Sequence, residues 1–425
     1  MSVTTSLLQM VDDVAGRFGL LNRPLDAASL LTDAQKRTGL SDFGTDPFLD
    51  PLRRFLDAST RESALTVVGR LATRWDVSRF LSNLLVLRGA ETQDPGILHE
   101  RIERPIFITG LPRSGTTFLH RLMMHDPATQ APLVWQTIFP YPNGSPSRRV
   151  AQVQRQLRSF ERLAPEFRAL HPLDAASPQE CSEITAHVFR SLRFDTNYDI
   201  PSYRAWLDED ETRQLPAFRF HKRFLQHLQH QHAAPNGRWV LKCPEHVFAL
   251  DVIRQVYPDA RIIFVHRDPV KVLLSVAKLT EVLRRPFSRS VDPVAIGRQE
   301  SARWLDGTRR MMAAGDDIGL PEPICHVHYL DLVSDPLATV EGVYQHFGMT
   351  LPGSAASGIQ RYVAEKPNGG YGPRDYHFED HGLSAEAETE KFRPYLLQFG
   401  ITPEARPGQR RRSDAPRQAE TVGRS

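Results

Sequence analysis

From Thr4 to about Leu98 apolar residues recur every three or four positions, as in Leu7-Val11-Val14 and Leu65-Val68-Leu71, which is the period of an amphipathic helix. An α-helical region is therefore predicted over residues 1–100. The pattern then changes. Pro105-Ile-Phe-Ile-Thr109, Trp239-Val-Leu241, Arg261-Ile-Ile-Phe-Val265 and Ile324-Cys-His-Val-His-Tyr329 are short β-branched runs bounded by turn or charged residues. Such runs suit buried parallel strands, which are apolar on both faces. Between them stand helical stretches at Thr116–His125, Val247–Val256, Val270–Leu283 and Leu337–Phe347, the last closed by Gly348. Alternating strands and helices predict an α/β core with a central parallel sheet, spanning residues 101–400. Residues 140–235 read as a mostly helical insertion broken at Pro165, Pro172, Pro178, Pro201 and Pro216. The stretch Lys366–Arg374 is rich in Gly and Pro and reads as a loop or flap, and residues 401–425, poor in apolar side chains, read as a disordered tail.

Composition narrows the classes of partner. The chain has 53 Lys and Arg against 50 Asp and Glu, a balance that argues against nucleic acid or an acidic surface as the main partner of the whole molecule. Any anion site must be local. Three cysteines, Cys181, Cys243 and Cys325, are far apart, without metal-ligand spacing, and odd in number, which suits a reducing compartment. Asp12 and Asp13 interrupt the stretch that a signal peptide would keep apolar, and no run of about 18 apolar residues occurs. A cytoplasmic protein without a membrane span is expected. Homo-oligomerisation stays open.

The sharpest local feature is Ile106-Phe-Ile-Thr-Gly110-Leu-Pro-Arg113-Ser114-Gly115-Thr116-Thr117, a strand passing through a Gly-bounded turn into a helix. Gly110 and Gly115 allow backbone angles closed to other residues, and the N–H groups of the turn and of the helix start converge on one anion site. Arg113 adds a positive fork, and Ser114, Thr116 and Thr117 add hydroxyl donors. Three familiar motifs fail here. A Walker A loop needs Lys where Thr116 stands, a nucleophile elbow needs Gly where Pro112 stands, and no G-x-G-x-x-G occurs.

A second strand–turn–helix unit is Arg261-Ile-Ile-Phe-Val-His266-Arg267-Asp268-Pro269-Val-Lys-Val-Leu-Leu-Ser275, with Arg at the strand exit and Ser eight residues later. Pro269 suits a first helical position. The triplet His266-Arg267-Asp268 also suggests a kinase catalytic loop, but Leu273 stands where that pattern needs Asn.

Pro112-Arg113-Ser114-Gly115-Thr116-Thr117 resembles the donor loop P-[KR]-[ST]-G-[ST]-[ST] of the PAPS-dependent sulfotransferase family, and Arg267 with Ser275 is similar in type and spacing to that family's 3′-phosphate motif. The resemblance implies a three-layer, P-loop-like fold and the co-substrate PAPS, 3′-phosphoadenosine 5′-phosphosulfate. Gly110 and residues 113–117 would hold the 5′-phosphosulfate, and Arg267 and Ser275 the 3′-phosphate. Lys366, Gly369 and Gly370 are a looser counterpart of the family's C-terminal loop. Lys242, which ends the strand Trp239-Val-Leu241, would stand with Arg113 as a catalytic cation.

The base is open. His246 lies four residues after Lys242 and has a suitable intrinsic pKa, whereas Pro244 occupies the place where many relatives carry His, and Gln136 a place where others carry Glu. Glu180 and Glu183 in the insertion are the rivals. No metal is called for, since cationic side chains supply the charge. His227, His230 and His232 lack the spacing of a helical metal site and read as a solvated helix end. The reading is transfer of a sulfuryl group from PAPS to a hydroxyl or amine of a small-molecule acceptor. A catalytically impaired PAPS- or PAP-binding protein, and at greater distance an ATP- or GTP-dependent kinase, are the alternatives.

Overall fold

The structure is a computed structural model that describes residues 24–404, apart from 142–144, 232–236, 316–318 and 367–376, together with Asp12, Arg17 and Gly19. The expected Leu7-Val11-Val14 periodicity lies outside the described residues. Four strands form where the apolar runs predict them: β1 (Ile106–Gly110), β3 (Arg238–Lys242), β4 (Arg261–His266) and β5 (Cys325–His328). A two-residue β2 (Thr129–Gln130), too short to show as a pattern, adds an edge. The order is β2-β3-β1-β4-β5 with every pairing parallel.

Successive side chains of a strand point to opposite faces, so an apolar strand feeds two cores. Ile106 and Ile108 of β1 pack with Val240, Ile263, Val265, Leu119 and Val340 on one face. Phe107 packs with Trp239, Leu241, Phe264, Phe220 and Phe80 on the other. Helices Thr116–Met123, Pro336–His346 and Gly353–Glu365 cover the first face. The second is covered by Leu215–His230, Pro269–Arg284 and the long N-terminal helix Val67–Gln93. This is the expected three-layer α/β core, with helices Ala27–Thr38 and Leu49–Arg61 stacked outside it. The insertion is helical too, with Pro146–Leu163 its most solvent-facing long helix. Among the described residues no helix is long and apolar enough to cross a membrane.

Two local expectations change. Instead of one helix over Val247–Val256, a 3-10 turn runs over Pro244–Phe248, breaks at Ala249 and restarts as Leu250–Val256. Residues 401–404, expected to open a disordered tail, are ordered: Ile401 is buried and Glu404 makes an ion pair described below. Apolar content alone misses such an anchor.

Because all strands run in one direction, the carboxyl ends of β1, β3, β4 and β5 open on the same side of the sheet. Lys242 ends β3, Arg267 and Tyr329 directly follow β4 and β5, and Arg113 lies in the turn after β1; ligands of open α/β sheets bind in that crevice.

Candidate active site

The turn after β1 is built under constraint. Gly110 has φ 138°, and a Cβ there would meet the Val265 carbonyl oxygen at 2.3 Å, so only glycine lets β1 and β4 approach. Arg113 has φ 62°, a left-handed conformation that costs a non-glycine residue about 1–2 kcal/mol. Gly115, at φ 99°, caps the helix Thr116–Met123. The Ser114 hydroxyl is fully buried and has no hydrogen-bond partner among the described residues. A buried unpaired hydroxyl costs about 1–3 kcal/mol.

The two loops expected to bind phosphate separately are bonded to each other. Arg113 Nε donates to Ser275 Oγ at 3.0 Å, and Arg267 Nη1 donates to the Arg113 carbonyl at 2.7 Å. Tyr329 lies under the Arg267 guanidinium, 3.7 Å from its carbon to the ring centre. The same ring packs where a Gly115 Cβ would stand, 3.0 Å from it. The fork of Arg267 is taken by a carboxylate: Nε and Nη2 donate to Glu404 at 2.6 and 2.8 Å, and the Glu404 N–H donates to Asp268 at 2.9 Å.

Beside the first loop, Lys242 Nζ donates to Thr117 Oγ1 at 3.1 Å and pairs with the Glu180 carboxylate. Glu180 reaches that place because its backbone forms a parallel bridge with Lys242 at the open end of β3. Burial raises the Glu180 pKa, but the Lys242 ammonium and the nearby His171 outweigh it and hold the carboxyl below its ordinary value. His171 is pushed down to about 4, by burial first, and by Lys242 and Arg113 against the opposing pull of Glu180.

A cavity of about 1490 Å³ opens from these residues. Arg113, Thr116, Thr117, Arg267, Tyr329 and Lys366 line it, as do His171, Glu180 and Glu245 and the apolar Leu157, Phe160, Leu279, Leu283 and Phe287. The cavity thus brings the cationic groups of the two loops together with a carboxylate, an imidazole and a large apolar surface; Arg79, Arg193 and Arg303, lining it as well, face Asp76, Glu183, Asp195 and Glu300.

Several expectations are corrected. His246 does not line the cavity; it is fully buried, with ring centres of Phe107 and Phe218 at 5.1 and 5.9 Å and no hydrogen bond to either ring nitrogen among the described residues. Burial holds its pKa well below the ordinary value, so the ring is neutral, and the 3-10 turn that begins at Pro244 points it inward. His246→Ala should therefore cost about 2–4 kcal/mol of stability by leaving a core cavity, while kcat of the folded fraction stays within a few-fold. Thermal melts run beside turnover decide this. Glu183 does line the cavity but is engaged by Arg79 at 2.6 Å and Arg193 at 2.9 Å. Gln136 caps the backbone N–H of Leu133. His227 is buried against Glu91 and Tyr141 rather than solvated, and His230 pairs with Asp94 and Glu100; His232 lies outside the described residues, as do Gly369 and Gly370.

Sequence reasoning missed His171, Glu245 and Glu404. His171 sits before Pro172 with no motif around it, and Glu404 lies in a stretch that composition assigns to a tail. Glu245 stands beside His246 with no motif of its own. Burial, then the Glu180 charge, raises its pKa from 4.5 to about 8. The folded state thus binds that proton more tightly than the unfolded chain, and the stabilisation is lost as pH rises from the unfolded value through about 8. Glu245→Gln should therefore gain stability on the native protein between about pH 5 and about pH 8.5, by about 1–2 kcal/mol once partial exposure is allowed for. Urea titrations across that range would show a constant gap if Glu245 titrates normally.

The fold and the paired strand–turn–helix loops are those of a sulfotransferase, and the chain belongs to that family, whose sequence pattern matches residues 105–353. Its activity class is sulfuryl transfer. It is 31% identical to sulfotransferase STF1 of Mycobacterium tuberculosis, with a TM-score of 0.75 over 87% of this chain and 98% of that one. To STF9 of Mycobacterium avium it is 27% identical, with a TM-score of 0.80 over 89% and 98%. The omega-hydroxy-beta-dihydromenaquinone-9 sulfotransferase Stf3 of Mycobacterium bovis is 25% identical over 296 residues, 66% of this chain and 70% of that protein.

Proposed function

We propose that the protein moves a sulfuryl group from PAPS to the hydroxyl of an elongated apolar acceptor and releases PAP. The observation that carries this reading is Lys242, whose buried ammonium joins Thr117 of the donor loop to Glu180, both of which line the partly apolar cavity. Bound PAPS supplies the sulfuryl group and a phosphate leaving group on which negative charge grows. The unpaired Ser114 hydroxyl, the open N-terminus of the Thr116–Met123 helix and Arg113 fit its 5′ end; Arg267 and Ser275 fit the 3′-phosphate, with Lys366 beside them.

Arg113 and Lys242 hold positive charge where the leaving oxygen would develop its own, and the guanidinium keeps that charge at any working pH. Thr117 fixes the ammonium. Glu180 accepts the acceptor's hydroxyl proton at its carboxylate, a transfer that loosens its ion pair and leaves the full charge of Lys242 to the leaving group. The apolar wall orients the acceptor and excludes water, which would otherwise compete. An apolar alcohol suits that wall, and the Stf3 relative is named for omega-hydroxy-beta-dihydromenaquinone-9.

The test has two arms. Turnover is followed by mass spectrometry with PAPS and a series of long-chain and isoprenoid alcohols. PAP, PAPS and ATP are titrated by calorimetry with and without Mg²⁺. Sulfated product and Mg²⁺-independent binding of PAP over ATP are expected. Tight PAP binding without turnover on any acceptor would make the chain a nucleotide-binding protein, and Mg²⁺-dependent ATP binding would restore the kinase reading.

A further inference from the structure

The mouth of the cavity is finished in an unusual way for a surface facing only water. Leu71, Trp75 and Leu163 are 62%, 43% and 41% exposed, and all three line the cavity. They continue its inner wall. Val68, Leu71, Ala72 and Trp75 follow the i, i+3, i+4, i+7 spacing of one helix face, and all four line the chamber from the first turns of Val67–Gln93. Opposite them the helix Pro146–Leu163 contributes Leu157, Phe160 and Leu163. Contiguous exposed apolar groups at a cavity mouth mark a contact with something apolar.

The helix that carries Leu163 is strongly basic on its outer side. Arg148, Arg155 and Arg162 stand seven residues apart and so form one line, all exposed, with Arg158 exposed beside it. That line runs next to Gln156, Ser159 and Leu163, which line the cavity. The helix has one acidic residue, Glu161, which lies 3.9 Å from Arg168, itself exposed. Glu166, just beyond the helix end, is paired with Arg285. The chain as a whole is nearly neutral, so this cationic stripe beside an apolar rim is a local arrangement. Apolar groups that enter the acyl region, flanked by arginines at phosphate depth, have the chemistry of an interfacial membrane-binding helix.

We propose that this rim docks on an anionic lipid bilayer, with Leu71, Trp75 and Leu163 entering the acyl boundary and Arg148, Arg155, Arg158 and Arg162 on the headgroup phosphates. The chamber then opens directly into the bilayer, and an apolar acceptor passes into it without crossing water. The inference rests on the mouth and not on the donor site. Vesicle binding can fail while turnover of a detergent-dispersed acceptor persists, and turnover can fail while binding persists.

The test is co-sedimentation of the full chain with vesicles of phosphatidylglycerol and phosphatidylcholine, against vesicles of phosphatidylcholine alone. Binding to the anionic vesicles that weakens with added salt is expected, with little binding to the neutral ones. Each basic residue near an anionic surface contributes about fivefold, so the combined Arg155→Glu, Arg158→Glu and Arg162→Glu variant should lose at least about a hundredfold. Leu71→Asp and Leu163→Asp should each lose about tenfold on the same vesicles. An unchanged melting temperature and PAP affinity certify the fold of each variant. The proposal is overturned if the native chain ignores anionic vesicles, if the charge-reversed variant binds as well as the native chain, or if light scattering shows that the Asp substitutions abolish a homodimer built on this rim.

Discussion

Glu180→Gln should lower kcat by about 10²- to 10⁴-fold while PAP affinity stays within a few-fold, because a general base acts on the transition state and not on donor binding. The amide keeps the shape of the side chain and loses its proton affinity. Lys242 and His171 hold the carboxyl below its ordinary pKa, so the acid limb of the native pH–rate profile should lie below the usual carboxylate range and be missing from the residual activity of the variant. A purely structural role would lower the amount of folded protein without removing that limb. Lys242→Met tests the partner: kcat should fall more than the Michaelis constant for PAPS rises. Removing one member of a fully buried ion pair costs about 3–5 kcal/mol, and because Glu180 is partly exposed to the cavity this variant should be destabilised by less than that. The double variant Lys242→Met, Glu180→Gln should recover much of the stability and none of the turnover. If it recovers turnover, neither residue takes part in the reaction.

Arg267→Ala should lose about 2–4 kcal/mol of PAP affinity, about 30- to 1000-fold, yet bind a nucleotide lacking the 3′-phosphate as the native protein does. The Glu404 pairing adds a second expectation of opposite sign. If Arg267 holds the 3′-phosphate as proposed, that carboxylate fills the fork it needs, and the nucleotide would have to displace it and lose affinity by whatever the intramolecular pair is worth. Glu404→Gln should tighten PAP several-fold and leave the nucleotide without a 3′-phosphate unaffected. Calorimetry of both nucleotides against both variants gives four numbers. Equal losses for the two nucleotides at Arg267 would remove it from the 3′-phosphate site, and weaker PAP binding by Glu404→Gln would show that Glu404 orients Arg267 instead of competing for it.

Much of this molecule is written locally. Strand runs such as Arg261–Val265, the loop around Gly110 and Gly115, and the Arg267 and Ser275 spacing are legible because backbone hydrogen bonding repeats with fixed period, and because a left-handed turn or a helix N-terminus admits few residue types. What the sequence determined by itself was therefore the α/β core, its two strand–turn–helix units and the family they resemble. The proposed reacting centre is another matter. By chain distance His246 is the neighbour of Lys242, but a 3-10 turn rotates it into the aromatic core, while Glu180, 62 residues earlier, arrives through a single backbone bridge. Glu404 meets Arg267 from 137 residues away. The cavity likewise joins a helix near residue 70 to one near residue 160. Only the tertiary structure decided these, because convergence of side chains depends on how helices pack across the sheet, and such packing has no period along the chain to read.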